Sequence, residues 1–191
     1  MTIETIISIC LGVGLSVSVG FRVFLPLFTL SLAAYFNVWE LNESWQWIGS
    51  STALITLGIA TVIEIVAYFI PYVDNLLDTI AVPLAALAGT AVMMSTVVDL
   101  SPVVTWSLAI IAGGGTAAAI AGTSSTTRLA STATTGGLAN PIVSTLETGT
   151  AAAMSIVSIF LPILAIVFVL IILFIIFKLF KKFKPSKVKN E

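Results

Sequence analysis

Arg22 and Arg128 are the only cations ahead of a cluster of lysines near the C-terminal end, and each lies beside long stretches of uncharged residues. The acids that share those stretches are Glu64, Asp74, Asp78 and Glu147. Charges inside a membrane are expensive and mark pathways, relays or ligand contacts. Two readings of the arginines follow. They pair with Glu64 and Glu147 as structural salt bridges or snorkel toward an interface. Alternatively, the two guanidiniums converge on a polar cavity and hold an anion, because arginine presents a fixed fork to carboxylate or phosphate oxygens. Ser124, Ser125, Thr126 and Thr127 would then add donors, and a half-helix start at that point would contribute backbone N–H groups.

Glu147 is the stronger candidate for a relay. In "NPIVSTLE", residues 140–147, Pro141 suits a helix start and Asn140 its N-cap. Ser144 and Glu147 then share one face with Asn140 at the same end, and a desolvated carboxylate there could pick up and release protons. Asp74 and Asp78 are four apart, which places them on one face of a helical turn. They could share a proton or bind a cation, although near the cytoplasmic surface solvation is the plainer expectation.

Absences narrow the chemistry. The chain has no histidine and one cysteine, Cys10. His-based triads, His-ligated metals and thiolate zinc sites are therefore excluded, and no intrachain disulfide can form. No G-x-S-x-G, P-loop or dinucleotide-binding pattern occurs. A non-enzymatic protein without cofactor or metal is expected, with an intramembrane aspartyl enzyme on Asp74 and Asp78 as the remaining catalytic alternative.

The elements that must position these charges belong to a membrane. Of 191 residues 58% are hydrophobic and 9% charged, and the mean hydropathy is +1.13, far from soluble domains. Uncharged stretches cover 5–21, 23–39, 44–63, 79–98, 100–127 and 148–177, most of them near the roughly 20 residues a helical span needs. The predicted fold is an all-α polytopic bundle of six or seven crossings, with broken or re-entrant segments, spanning 1–177 and followed by a basic tail at 178–191.

Six lysines, Lys178, Lys181, Lys182, Lys184, Lys187 and Lys189, place that tail in the cytoplasm by the positive-inside rule. The predicted location is the cytoplasmic membrane, crossed several times, with the C-terminal end inside. No groove-reading element accompanies the lysines, so nucleic acid is not an expected partner. Lipid is, and a homo-oligomer is compatible with the composition. The loop "NVWELNESWQW" at 37–47 carries Trp39, Trp45 and Trp47 with two acids, and reads as external. Residues 5–36 would make roughly 48 Å of helix against a core of about 30 Å, so a kink or split is expected near Gly20 or Pro26.

Counting inward from the external loop leaves the final stretch, about 150–177, running from outside to inside. Something between Gly122 and Thr150 must then cross outward, and "STTRLASTATTGGLANP" at 124–140 is what remains. Its hydroxyls suit the bundle interior better than lipid. It would be a packed helix of small residues or a half-helix unwound at "TTGG" lining a polar cavity. The glycines at 12, 14, 20 and 113–115 read as close helix contacts. Arg22, Glu64 and Pro83 recur in order as Arg128, Glu147 and Pro162, a loose sign of an internal repeat.

"GFRVFLPLF" (20–28), "EIVAYFIPYVDNLLDTIAVPLAALAG" (64–89) and "TTRLASTATTGGLANPIVSTLE" (126–147) are similar to a family of small bacterial integral membrane proteins catalogued as a domain of unknown function. The resemblance implies motif positions at Arg22, Glu64, Pro71, Asp74, Asp78, Arg128, Asn140, Ser144 and Glu147, and no activity. Where the family places an acid and a base before the proline, this chain has Tyr68 and Phe69. The expected function is a small transporter or channel-like protein for a small anionic solute or lipid headgroup. A membrane scaffold or partner subunit, with the charges purely structural, is the alternative.

Overall fold

A computed structural model describes residues 2–70 and 73–183. Pro71, Lys184, Lys187 and Lys189 lie outside the described residues. Among those described there are eight α-helices. Helix α1 (Ile3–Phe21) begins at Thr2, whose hydroxyl caps the Thr5 N–H. It ends where Arg22 turns extended, at φ −147° and ψ 123°. Helix α2 (Phe24–Tyr35) follows at once. The expected split therefore falls between Gly20 and Pro26, with Pro26 in the first turn of α2 where its missing N–H costs nothing.

After the tryptophan loop, a 3₁₀ turn (Glu43–Gly49) leads at a 65° bend into α3 (Ser51–Ala67). Ser50 caps α3 through the Ala53 N–H. Helix α4 (Val73–Thr96) contains Pro83. Helix α5 (Pro102–Leu108) passes through a π-helical turn (Ala109–Gly114) into α6 (Gly115–Thr135), giving one continuous 34-residue rod. Helices α7 (Asn140–Phe160) and α8 (Pro162–Phe183) complete the chain.

Contacts at the two ends of the bundle set the helix directions. At one end Trp39 Nε1 donates to the Ile159 carbonyl (2.9 Å), Asn42 N–H to Ser95 (2.9 Å), and Val98 N–H to Ser8 (3.4 Å). At the other lie Arg22, Glu64, Asp74, Arg128, Asn140 and Glu147. Helix α1 runs toward the arginine end through the middle of the bundle, against α2, α4, α6, α7 and α8. Leu11, Leu15, Val19 and Val92 are fully or almost fully buried in the main core.

Glycine lets α4 and the long rod touch. A Cβ on Gly89 would stand 2.7 Å from the Gly113 carbonyl oxygen, and one on Gly113 2.6 Å from that of Gly89. Such contact needs bare backbones and is a common device of membrane helices. The π-turn sits at this crossing. Gly115, by contrast, approaches nothing closely.

The protein is embedded in a membrane. Four helices are long and apolar enough to span, or five with the bent pair around Ser50, and large apolar side chains such as Ile55, Ile59, Val62, Leu170 and Phe174 face outward.

Two expectations about the second half need correction. Residues 124–135 do not form a separate crossing inside the bundle; they continue α6, and Thr126, Thr127, Leu129, Ala133, Thr134 and Thr135 are exposed. The hydroxyls of Thr126, Thr127, Thr134 and Thr135 are satisfied by their own helix. Thr126, Thr127 and Thr135 each donate to the carbonyl four residues back, at 2.7–2.9 Å. The missing reversal lies elsewhere, because the uncharged stretch 148–177 is a hairpin broken at Leu161–Pro162 rather than one span. Ala165 packs at the level of Gly14, and α8 then returns until Ile176 borders the cavity beside Glu147. The two glycines of "TTGG" open the turn at 136–139 between α6 and α7, with Gly136 and Gly137 at φ 64° and 87°, a left-handed conformation glycine adopts without strain.

Candidate functional site

The break after α1 frees Arg22 to reach sideways into α7. All five of its N–H donors find acceptors. Nε donates to Thr148 Oγ1 (3.0 Å). Nη1 donates to the Phe21 carbonyl (2.9 Å) and Glu147 Oε2 (3.2 Å). Nη2 donates to the Ser144 carbonyl (3.0 Å) and hydroxyl (2.7 Å). The side chain is fully buried. A planar guanidinium has no further donor to offer.

Arg128, on α6, reaches the same carboxylate. Its Nη2 pairs with Glu147 Oε2, and its Nε stands 3.4 Å from Oε1, which also accepts from the Ser124 hydroxyl. Its Nη1 makes only a longer ion pair with Asp78 Oδ1, at 3.8 Å, beyond hydrogen-bond reach. Both guanidiniums lie over the ring of Tyr68, with Cζ 4.1 Å (Arg22) and 3.9 Å (Arg128) from its centroid. A cation over a desolvated aromatic face gains about 2 kcal/mol. Tyr68 thus supplies an aromatic face to both arginines.

Glu64 does not pair with an arginine. Its two oxygens accept the Val23 N–H (2.7 Å) and the Phe24 N–H (2.9 Å), so it caps the start of α2 from α3. These are the donors a helix N-terminus leaves unsatisfied. Glu64 and Glu147, counterparts in the proposed repeat, thus do different work, as do Pro83 within α4 and Pro162 at the head of α8.

Asp74 is 3% exposed, so it is not solvated. Its Oδ1 accepts the Asn75 N–H (2.8 Å) and its Oδ2 the Asn140 amide (2.8 Å). Asn140 is the first residue of α7 rather than its side-chain cap: its Oδ1 accepts no backbone N–H among the described residues, and its Nδ2 donates to Asp74 and to Thr132 Oγ1 (3.0 Å). Ser125 has a buried hydroxyl with no hydrogen-bond partner among the described residues. Thr127 faces outward beside the second cavity and bonds its own helix.

Two cavities flank the ion cluster. One, of about 200 Å³, lies at the end of the bundle between Tyr68, Asp74, Asn75, Thr132 and Asn140. The other, of about 260 Å³, opens between α6, α7 and α8, with Ser124, Thr127 and Glu147 on its polar side and Phe21, Ile120 and Ile176 on its apolar side. The structure thus brings Arg22, Arg128, Ser124, Ser144 and Glu147 together, with Asp78 at their edge and Asp74 and Asn140 one step away. Sequence reasoning missed Tyr68, Thr132 and Thr148. The first sat in plain view as the departure from the motif, whereas a lone threonine gives no signal.

A family model described as a domain of unknown function (DUF4126) matches residues 9–182. No curated protein and no solved structure matches the chain.

Proposed function

The chain belongs to this family, and on that premise we propose, from its own geometry, a small non-enzymatic transporter or channel-like protein for a small anionic solute or lipid headgroup. The observation that carries the reading is the position of Glu147. Its carboxylate sits between two guanidinium forks, which is where a carboxylate or phosphate from outside would be held. A cavity borders it on the α8 side.

The two arginines divide the work. Arg22 is saturated by the protein and fixes the frame. Arg128 is the exchangeable contact, because its Nη1 has no hydrogen-bonding acceptor among the described residues. An incoming anion displaces Glu147 from Arg128, and the displaced carboxylate takes a proton or stays with Arg22. Ser124 follows whichever oxygen occupies the fork. In this reading the lysine tail faces the cytoplasm of a bacterial cell, and the arginine end is the cytoplasmic end.

The test is uptake into proteoliposomes of labelled inorganic phosphate and acetate, with scrambling of fluorescent phosphatidylglycerol alongside. Wild type should move at least one probe, and Arg128→Gln should lower that flux about a hundredfold, the loss of a buried charged contact of about 3 kcal/mol. No movement of any probe, with cysteines at Ser124 and Thr127 silent to impermeant thiol reagents, would overturn it.

One observation favours the scaffold reading. The saturation of Arg22 and the capping by Glu64 tie α1, α2, α3 and α7 together with no ligand required. Silence in both assays selects that reading.

A further inference from the structure

Four carboxylates and two guanidiniums meet at the arginine end of the bundle. Glu147 takes both guanidiniums, and Glu64 is held by the backbone N–H groups that start α2. That leaves Asp74 and Asp78, one turn apart on α4, where the 3.8 Å contact from Arg128 to Asp78 is the one salt bridge to either among the described residues and Asp74 is held by the Asn75 N–H and the Asn140 amide. Asp78 Oδ2 has no hydrogen-bond partner among the described residues. Buried carboxylates in such excess call for a compensating cation or a proton.

The 200 Å³ cavity lies where such a cation would sit. Asp74 and Asn140 line it, at 3% and 4% exposure. The orientation of the Asn140 amide follows from its neighbours: Nδ2 donates to the Asp74 carboxylate, which can only accept, so Oδ1 points elsewhere. That Oδ1 is buried and unpartnered among the described residues. A buried carbonyl oxygen without a donor is costly and calls for an occupant. The other polar residues on the wall are Tyr68, Thr132 and Asn75, with the backbone around Gly136 and Gly137. No group of three Asp, Glu, His or Cys suited to a metal occurs among the described residues, so the oxygen set fits a single charge better than a divalent ion.

We propose that this cavity binds a monovalent cation, an alkali ion or a small primary ammonium, between the Asp74 carboxylate and Asn140 Oδ1, with Thr132 Oγ1 as a further ligand. The site is separate from the Glu147 fork and does not depend on what solute passes there. If the protein transports an anion, the cation is the natural partner for coupling, because it neutralises charge within reach of Arg128 through Asp78.

The test uses the full chain in detergent micelles, at constant chloride, with N-methylglucamine as a bulky reference cation. Thermal unfolding and isothermal titration calorimetry are run with sodium, potassium and methylammonium chloride. The expected result is a saturable rise in Tm and binding of a single ion per chain for one of the three, which identifies the class. Asp74→Asn keeps an oxygen for Asn140 and should weaken that binding at least about tenfold. Should Asp74→Asn fail to fold, Thr132→Val is read in its place, with weaker binding expected. The proposal is overturned if wild type shows no saturable, ion-specific effect, or if the variant that folds binds as wild type does. No flux is measured, so this outcome and that of the transport assay are independent.

Discussion

Arg22 grips Ser144 twice, at the hydroxyl (2.7 Å) and at the carbonyl (3.0 Å), and so locks the break after α1 to the first turns of α7. Ser144 is fully buried. Ser144→Ala removes one hydrogen bond to a charged group and leaves a guanidinium N–H without its partner. The expected loss is about 1.5–3 kcal/mol of stability, read as a lower unfolding midpoint in detergent. Ser144→Thr should keep most of it, because the hydroxyl is retained.

Arg22 and Arg128 differ in how much of each fork is used, and lysine substitutions expose the difference. Lysine offers a point charge in place of five planar donors. Arg22→Lys abandons several buried acceptors and should destabilise by about 2–4 kcal/mol. Arg128→Lys should cost stability less and cut solute flux more. If the order of the two stabilities is reversed, the division of labour between the arginines is wrong.

Much of this cluster was legible in the sequence, for a physical reason. A charge between apolar runs is too costly to keep without partners, so Arg22, Arg128, Glu64, Asp74, Asp78 and Glu147 could be collected before any helix was placed. The partners could not be assigned. Glu64 looked like a counter-ion for Arg22 and is a cap, because the α1–α2 break was expected only as a kink or split somewhere between residues 20 and 26, and the N–H groups it exposes were not anticipated. The path of the second half was misread because hydroxyls count as polar in composition, yet in a helix they can fold back on the carbonyl four residues earlier. Thr126 and Thr127 do this, so hydroxyl content alone does not call for a separate crossing inside the bundle. The hairpin at Pro162 was hidden by a long uncharged run, in which one proline was the only mark of a reversal.

The Glu64 cap makes its own prediction. Glu64→Gln keeps one acceptor oxygen for the start of α2, whereas Glu64→Ala leaves the Val23 and Phe24 N–H groups bare. Loss of a cap costs about 0.5–2 kcal/mol, and removing a buried acceptor adds to it. The alanine variant should therefore unfold at the lower temperature. Faster amide exchange confined to residues 23–25 in that variant would localise the effect; uniform exchange across the bundle would contradict it.

Tyr68 tests how far an aromatic ring holds the two arginines through its face. Its face lies against both guanidiniums, and that contact depends on the ring quadrupole rather than on the hydroxyl. Tyr68→Phe should leave stability within about 0.5 kcal/mol of wild type, since the cation–π contacts persist. Tyr68→Leu loses the quadrupole and should cost about 1–3 kcal/mol for the two stacked cations together, with a packing loss added because leucine is the smaller side chain. Equal stability of the two variants would mean that Tyr68 only fills space between the arginines, and that Glu147 alone holds their charges in place.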